Sequence, residues 1–272
     1  PDWPANFTRN EEPEGSGIVL GDGTLIATAD HVLGPANSAR IRTRDGRIFK
    51  AEIVLREPLT DIALLEIPQK LPPFSTVEST TPGADACAVG NSFGLDISIT
   101  CGVVSAIKVS GIGFNQIEDF VQTDTAVNPG MSGGALMDKD GRLLGLLSAI
   151  FTKGSDANLG VNFAVSSDLL FAIVDDYKDD GRVSINRAGI LARPGGTEKT
   201  DGRIGIEIVR IFPDTPEEKA DLQLGDIVIK ANQRRIKHLA AYGATMALAK
   251  KGQAIDLLIW RDGTELIINL EP

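Results

Sequence analysis

Asn128-Pro129-Gly130-Met131-Ser132-Gly133-Gly134-Ala135-Leu136 decides how this chain of 272 residues is read. A serine set among small residues can sit exposed on a tight turn, and flanking glycines leave backbone N–H groups free to face an anion. Alone, the stretch reads equally well as a glycine-rich loop. Two more motifs change its meaning. Thr28-Ala29-Asp30-His31-Val32-Leu33 follows an apolar strand, and Thr60-Asp61-Ile62-Ala63-Leu64-Leu65 leads an acid into another. Taken singly, His31 reads as a structural or exposed histidine and Asp61 as a turn residue. Together they supply what a serine lacks. A hydroxyl is a poor nucleophile at neutral pH; it needs a base within hydrogen-bond reach, and that base needs a carboxylate to fix its tautomer. His31, Asp61, Ser132 is one of the chain orders in which this triad occurs.

Composition narrows the alternatives. The chain has two histidines, so imidazole chemistry falls on His31 or His238, and a multi-histidine metal site is not expected. Two cysteines cannot build a disulfide framework or a four-cysteine zinc site. No metal or other cofactor is expected. Net charge is −10 and uneven: residues 1–180 carry 13 Lys+Arg against 25 Asp+Glu, a net −12, while residues 181–272 carry 14 against 12, a net +2. An acidic front and a near-neutral back argue against a nucleic-acid partner. No apolar run is long enough to span a bilayer. Pro1–Glu14 is polar and acidic, without the apolar core of a signal peptide, which suits a cytoplasmic chain or a mature form whose leader has been removed.

The first two-thirds reads as short strands between turns. Gly21-Asp22-Gly23, Asp45-Gly46 and Asp140-Gly141 each mark a hairpin. Such spacing predicts one or two small β-barrels or a sandwich. Leu169, Leu170, Ile173 and Val174 recur at helical spacing. A charged stop follows at Asp175–Gly181, and the domain break is placed near 178–186. The remainder reads as a compact α+β unit. Thr215-Pro216-x-Glu218 has the form of a capping box with proline at the first helical position. Asp262-Gly263 turns a final hairpin.

Gly15-Ser16-Gly17, Ala29-Asp30-His31-Val32, Thr60-Asp61-Ile62-Ala63-Leu64, Val89-Gly90-Asn91-Ser92-Phe93-Gly94-Leu95, Gln122-Thr123-Asp124-Thr125-Ala126 and Gly130-Met131-Ser132-Gly133-Gly134 resemble the HtrA/Deg family of chymotrypsin-fold serine proteases. The resemblance spans roughly residues 15–272. It implies a mainly β fold: two six-stranded antiparallel barrels over 15–177 after an N-terminal segment 1–14, a linker at 178–186, and a PDZ domain over 187–272. It implies that His31 is the general base, Asp61 its orienting acid, Ser132 the nucleophile, and the amides of Gly130 and Ser132 the oxyanion hole. A substrate strand would pair with Ser148-Ala149-Ile150. Ala126–Asn128 and the loop Phe151–Leu159 would wall a pocket for a small or medium apolar side chain.

The sequence departs from the family at Met131, where a small polar residue is usual; the expectation is a loop resting in an altered or inactive conformation without ligand. In the PDZ domain, Arg187-Ala188-Gly189-Ile190 resembles the loop that captures a peptide C-terminus. Amides of Gly189 and Ile190 would hold the carboxylate, and Tyr242 and Met246 would line the side-chain pocket. Packing of the domain core is the competing reading for Met246. Arg234, Arg235, Lys237 and His238 read as a solvated surface run. The resemblance puts Cys87 and Cys101 on neighbouring strands, either bridged or as two buried thiols. It also implies unfolded or misfolded protein substrates, a homotrimer formed through Trp3 and Phe7, and an extracytoplasmic location. The competing function is a peptide-binding scaffold or chaperone with an inactive protease domain.

Overall fold

A computed structural model describes residues 15–76, 80–150, 160–196, 200, 202–250 and 252–272. Trp3, Phe7 and the pocket loop 151–159 lie outside the described residues.

Strands β1 (Ile18–Leu20), β2 (Leu25–Ala29), β3 (Ser38–Arg42), β4 (Ile48–Glu57) and β5 (Ile62–Glu66) form one antiparallel sheet in the order β1-β2-β5-β4-β3. Six strands were expected here. Among the described residues there are five, and the sheet stays open: β1 is only three residues long, and β3 alternates exposed and half-buried positions rather than packing inward. Next come β6 (Asp85–Asn91), β7 (Ile97–Val109), β8 (Phe120–Thr123), β9 (Ala135–Met137), β10 (Leu143–Ile150) and β11 (Asn162–Ser166). These close into a six-stranded barrel, β10-β11-β8-β7-β6-β9, as expected. Cys87 and Cys101 face each other across β6 and β7 and are joined by a disulfide.

The core explains the arrangement. Leu20, Ile62 and Leu64 from the sheet meet Phe120, Leu143, Leu146 and Phe163 from the barrel. Helix α1 (Asp30–Leu33) is a single turn after β2, and α2 (Ser167–Asp180) closes the cluster with Leu169, Leu170, Ile173 and Val174, all buried. Burying each such side chain contributes about 1.5–3 kcal/mol. Ser166 caps α2 by accepting from the Leu169 amide, and Gly181, at φ +76°, ends it in the left-handed conformation that a C-terminal cap requires.

The C-terminal unit is one antiparallel sheet of β12 (Ile190–Gly196), β13 (Ile204–Ile211), β14 (Ile227–Ala231), β15 (Arg234–Arg235), β16 (Ile255–Arg261) and β17 (Thr264–Leu270), with β12 at one edge. Helices α3 (Pro216–Lys219) and α4 (Leu239–Leu248) cover it. Thr215 caps α3 as its sequence predicts, accepting from the Glu218 amide. His238, expected on the surface, is half-buried: Nδ1 accepts from the Ala241 amide to cap α4, and its ring lies against Gly111 of the N-terminal unit.

Candidate active site

Pairing of β2 with β5 sets Ala29 opposite Ile62, so the residues just beyond them, His31 and Asp61, fall side by side. The Asp30 amide donates to the Asp61 carbonyl at 3.1 Å, tying the two segments together. His31 Nδ1 lies 2.9 Å from both carboxylate oxygens of Asp61, and the His31 backbone amide donates to Oδ1 at 3.0 Å. Asp61 holds φ +61°, an uncommon conformation for a residue with a side chain. Such strain collects at functional sites. Arg56 secures α1 from the other side, donating to Asp30 Oδ1 and the Gly34 carbonyl.

A third donor comes from the barrel. The register of β10 against β11 slips between Leu147 and Ala149, so Ser148 sits at a bulge. A bulge re-aims the side chain it carries. The Ser148 hydroxyl donates to Asp61 Oδ2 at 2.5 Å. The Ser148 side chain thus serves the acid, a role separate from the substrate pairing expected of its backbone. Burial pushes the Asp61 carboxyl up, but hydrogen bonds from the His31 ring, Ser148 and the His31 amide outweigh it and leave the acid below its ordinary value. The bond to Asp61 raises His31 above its ordinary value despite partial burial.

The serine loop is held from both halves. The Ser16 amide donates to the Ser132 carbonyl at 2.8 Å, and the Ser16 hydroxyl donates to the Gly130 carbonyl at 2.8 Å while accepting from the Asn91 amide. The Phe93 amide donates to the Pro129 carbonyl at 2.7 Å. Gly133 has φ +84°, and a Cβ there would strike the Ser16 carbonyl and the Thr28 hydroxyl. Within 130–134, the amides of Met131, Gly133 and Gly134 donate to Asn128, Leu147 and Met131 carbonyls. Among the described residues, those of Gly130 and Ser132 have no acceptor, which is the condition for binding an oxyanion. Met131 is fully buried with Val127, Leu136, Leu144 and Leu147. Its sulfur accepts from the Asn128 amide at 3.4 Å, so Met131 braces the loop by packing into the barrel core, in place of the polar residue usual there.

Ala126 is exposed beside the loop, its carbonyl accepting from Thr100. Ala149 and Ile150 pair with Phe163 and Asn162 of β11. The pairing of β10 with β9 stops at Leu146, which leaves Ser148–Ile150 an open edge among the described residues.

A family model of the trypsin-like peptidase domain matches residues 15–146, and one of the PDZ domain matches residues 157–271. A probable periplasmic serine endoprotease DegP-like of Marinomonas sp. (strain MWYL1) is 35% identical over 94% of this chain and 56% of its own length. The periplasmic serine endoprotease DegP of Escherichia coli (strain K12) is 32% identical over the same shares. The chain thus spans little more than half the length of these relatives. A solved structure described as the HtrA-type protease AlgW with tripeptide superposes with a TM-score of 0.75 at 30% identity, over 94% of this chain and 88% of that one. The chain belongs to the HtrA-type serine protease family.

The HtrA-type PDZ unit departs from expectation at its binding loop. Tyr242 and Met246 are buried in the domain core rather than lining an open pocket, because the face of α4 they share turns inward, where Ile190 at the start of β12 joins the same cluster. The Gly189 amide donates at 2.7 Å to Glu217 Oε1, which also accepts from the Tyr242 hydroxyl at 3.1 Å. Burial, the charge of Glu217 and this bond all raise the Tyr242 hydroxyl, which therefore stays protonated as a donor. Arg234, expected in solvent, is buried and paired with Asp119 of the HtrA protease unit, whose Oδ2 accepts from Ser166 at 2.5 Å. Asp119 ends a loop gathered round buried Glu118, which accepts from the amides of Ile112, Gly113, Phe114 and Asn115. The same loop reaches the turn that carries Asp61: Ile117 N donates to the Leu59 carbonyl and Asn115 Nδ2 to the Thr60 carbonyl. Ser16 was visible in its Gly-Ser-Gly motif, whereas nothing local in the sequence marks Asp119, Glu118 or Glu217.

Proposed function

We propose that this HtrA-type chain is a serine endopeptidase. His31 takes the proton of Ser132 as the hydroxyl attacks a peptide carbonyl. Asp61 holds the ring in the tautomer with the proton on Nδ1 and stabilises the imidazolium that forms. The amides of Gly130 and Ser132 receive the oxyanion; one such donor is worth about 2.7–4 kcal/mol to the transition state. The intermediate collapses to an acyl-enzyme as His31 protonates the leaving amine. Water, deprotonated by His31, then releases the acid. The observation that carries this reading is the fully bonded Asp61 beside His31, together with a serine loop in which, among the described residues, the Gly130 and Ser132 amides have no acceptor.

Substrate enters as an added strand on the open edge Ser148–Ile150, with Ala126 beside its side chain. An unfolded chain supplies such an extended segment, so unfolded or misfolded proteins are the proposed substrates. The edge strand β12 offers a second place for a peptide, C-termini being the expected ligands, and solved relatives described with a bound decapeptide or tripeptide support this. The loop from Ser110 to Asp119 touches both the PDZ unit and the Asp61 turn, a physical route for such a ligand to act on the site. The periplasmic relatives and the Cys87–Cys101 disulfide support an extracytoplasmic location. A homotrimer is proposed from the family resemblance. Casein hydrolysis tests the activity: it should vanish in both Ser132→Ala and His31→Ala, and unchanged hydrolysis in either variant would refute the assignment.

A further inference from the structure

Glu217 is an acid without a use in the chemistry above. It lies in the first turn of the short helix α3, yet it is 0% exposed. Its Oε1 takes the Gly189 amide and the Tyr242 hydroxyl. Its Oε2 is buried and, among the described residues, has no hydrogen-bond partner. A Cβ on Gly189 would collide with Oε2, so the carboxylate fills the space directly against the loop backbone. Gly189 immediately precedes β12, the edge strand of the sheet. A peptide added along that edge brings its end to this loop, and a free end brings a carboxylate that needs a loop amide. Here that amide already serves an internal carboxylate.

We propose that Glu217 is a specificity-determining residue of the PDZ groove: its carboxylate stands in the position of a peptide's terminal carboxylate, so the groove takes extended segments with uncharged ends at least as readily as free C-termini. A free acid must displace Glu217 from Gly189 and meets its charge in doing so. An amidated end, or an internal segment running past the loop, brings no second negative charge. The inference rests on the PDZ unit being a peptide groove and specifies what that groove selects.

The test uses the full chain carrying Ser132→Ala, so that the probe is not cut. A fluorescein-labelled decapeptide with three apolar C-terminal residues is made as the free acid and as the amide, and binding is read by anisotropy. The expected result is affinities within roughly threefold of each other. Replacing Glu217 should give the acid a preference of about tenfold or more, largest in Glu217→Ala and smaller in Glu217→Gln, because charge-assisted bonds from the loop become available. Thermal melts identify any variant that does not fold; the isosteric Gln variant then carries the comparison. A tenfold acid preference already present with Glu217, and unchanged on replacing it, overturns the inference while leaving the groove intact. No binding of either peptide to any of the proteins overturns the groove reading and the inference with it.

Discussion

Asp61 in the protease cleft and Glu217 in the PDZ loop are both buried carboxylates that accept a backbone amide and a side-chain donor. They differ in completeness. Both oxygens of Asp61 are engaged, by the His31 ring, the His31 amide and Ser148. Glu217 uses one oxygen and leaves the other buried and bare. A buried carboxylate without full hydrogen bonding is costly. The saturated acid is a fixed part, held so that it can hold His31. The unsaturated one occupies a loop amide that a peptide's terminal carboxylate would otherwise take. The first belongs to a site that must be preorganised for chemistry; the second belongs to a site that has to respond to a ligand.

Removing the charge at Asp61 should have the largest effect. Asp61→Asn keeps the shape but favours the wrong imidazole tautomer, and kcat on casein should fall by about 10⁴-fold. A loss below tenfold would mean that Asp61 does not orient His31. Next is the pair that joins the two regions. Arg234→Ala leaves Asp119 buried without its cation, which should cost about 3–5 kcal/mol. Calorimetry should show this as a lowered transition or as separation of the two units' melting. An unchanged melting profile would mean that the pair does not couple them.

Ser148→Ala removes one of Asp61's bonds and should lower kcat by about 10- to 100-fold, matching the about 1.5–3 kcal/mol of a charge-assisted hydrogen bond. An equal rise in KM without loss of kcat would assign Ser148 to substrate instead. The smallest effect is on pH. His31 acts when neutral, and its bond to Asp61 raises it above the ordinary value of 6.5. The acid limb of kcat/KM should therefore lie above that value, activity falling as pH drops through it. In Asp61→Asn the residual activity should show a limb at lower pH.

Much of the protease half could be read in the sequence because its signals are local. His31, Asp61 and Ser132 each sit in a short motif at the end of a strand, and turn pairs such as Asp45-Gly46 mark the hairpins. The role of Ser148 was hidden because it depends on one slipped residue in β10, and a single slip turns a side chain to the other face of a sheet. The PDZ loop was harder for a similar reason. The spacing of Leu239, Tyr242 and Met246 defines a helix face, but nothing in that spacing says whether the face meets a ligand or the core. Thr215-Pro216-Glu217-Glu218 correctly announces a helix start, with Glu218 reaching the Asp214 amide while its neighbour Glu217 turns inward. Arg234 looked solvated because its partner, Asp119, lies 115 residues away in sequence.

The proposed chemistry turns on Ser132 being a nucleophile served by a preorganised His31–Asp61 pair. Fluorophosphonate labelling followed by peptide mass mapping tests it most directly. A single adduct on Ser132 is expected in the unmodified chain, with labelling slowed by orders of magnitude in His31→Ala and none at that position in Ser132→Ala. Labelling of Ser132 at the same rate with and without His31, or an adduct on some other serine alone, would contradict it.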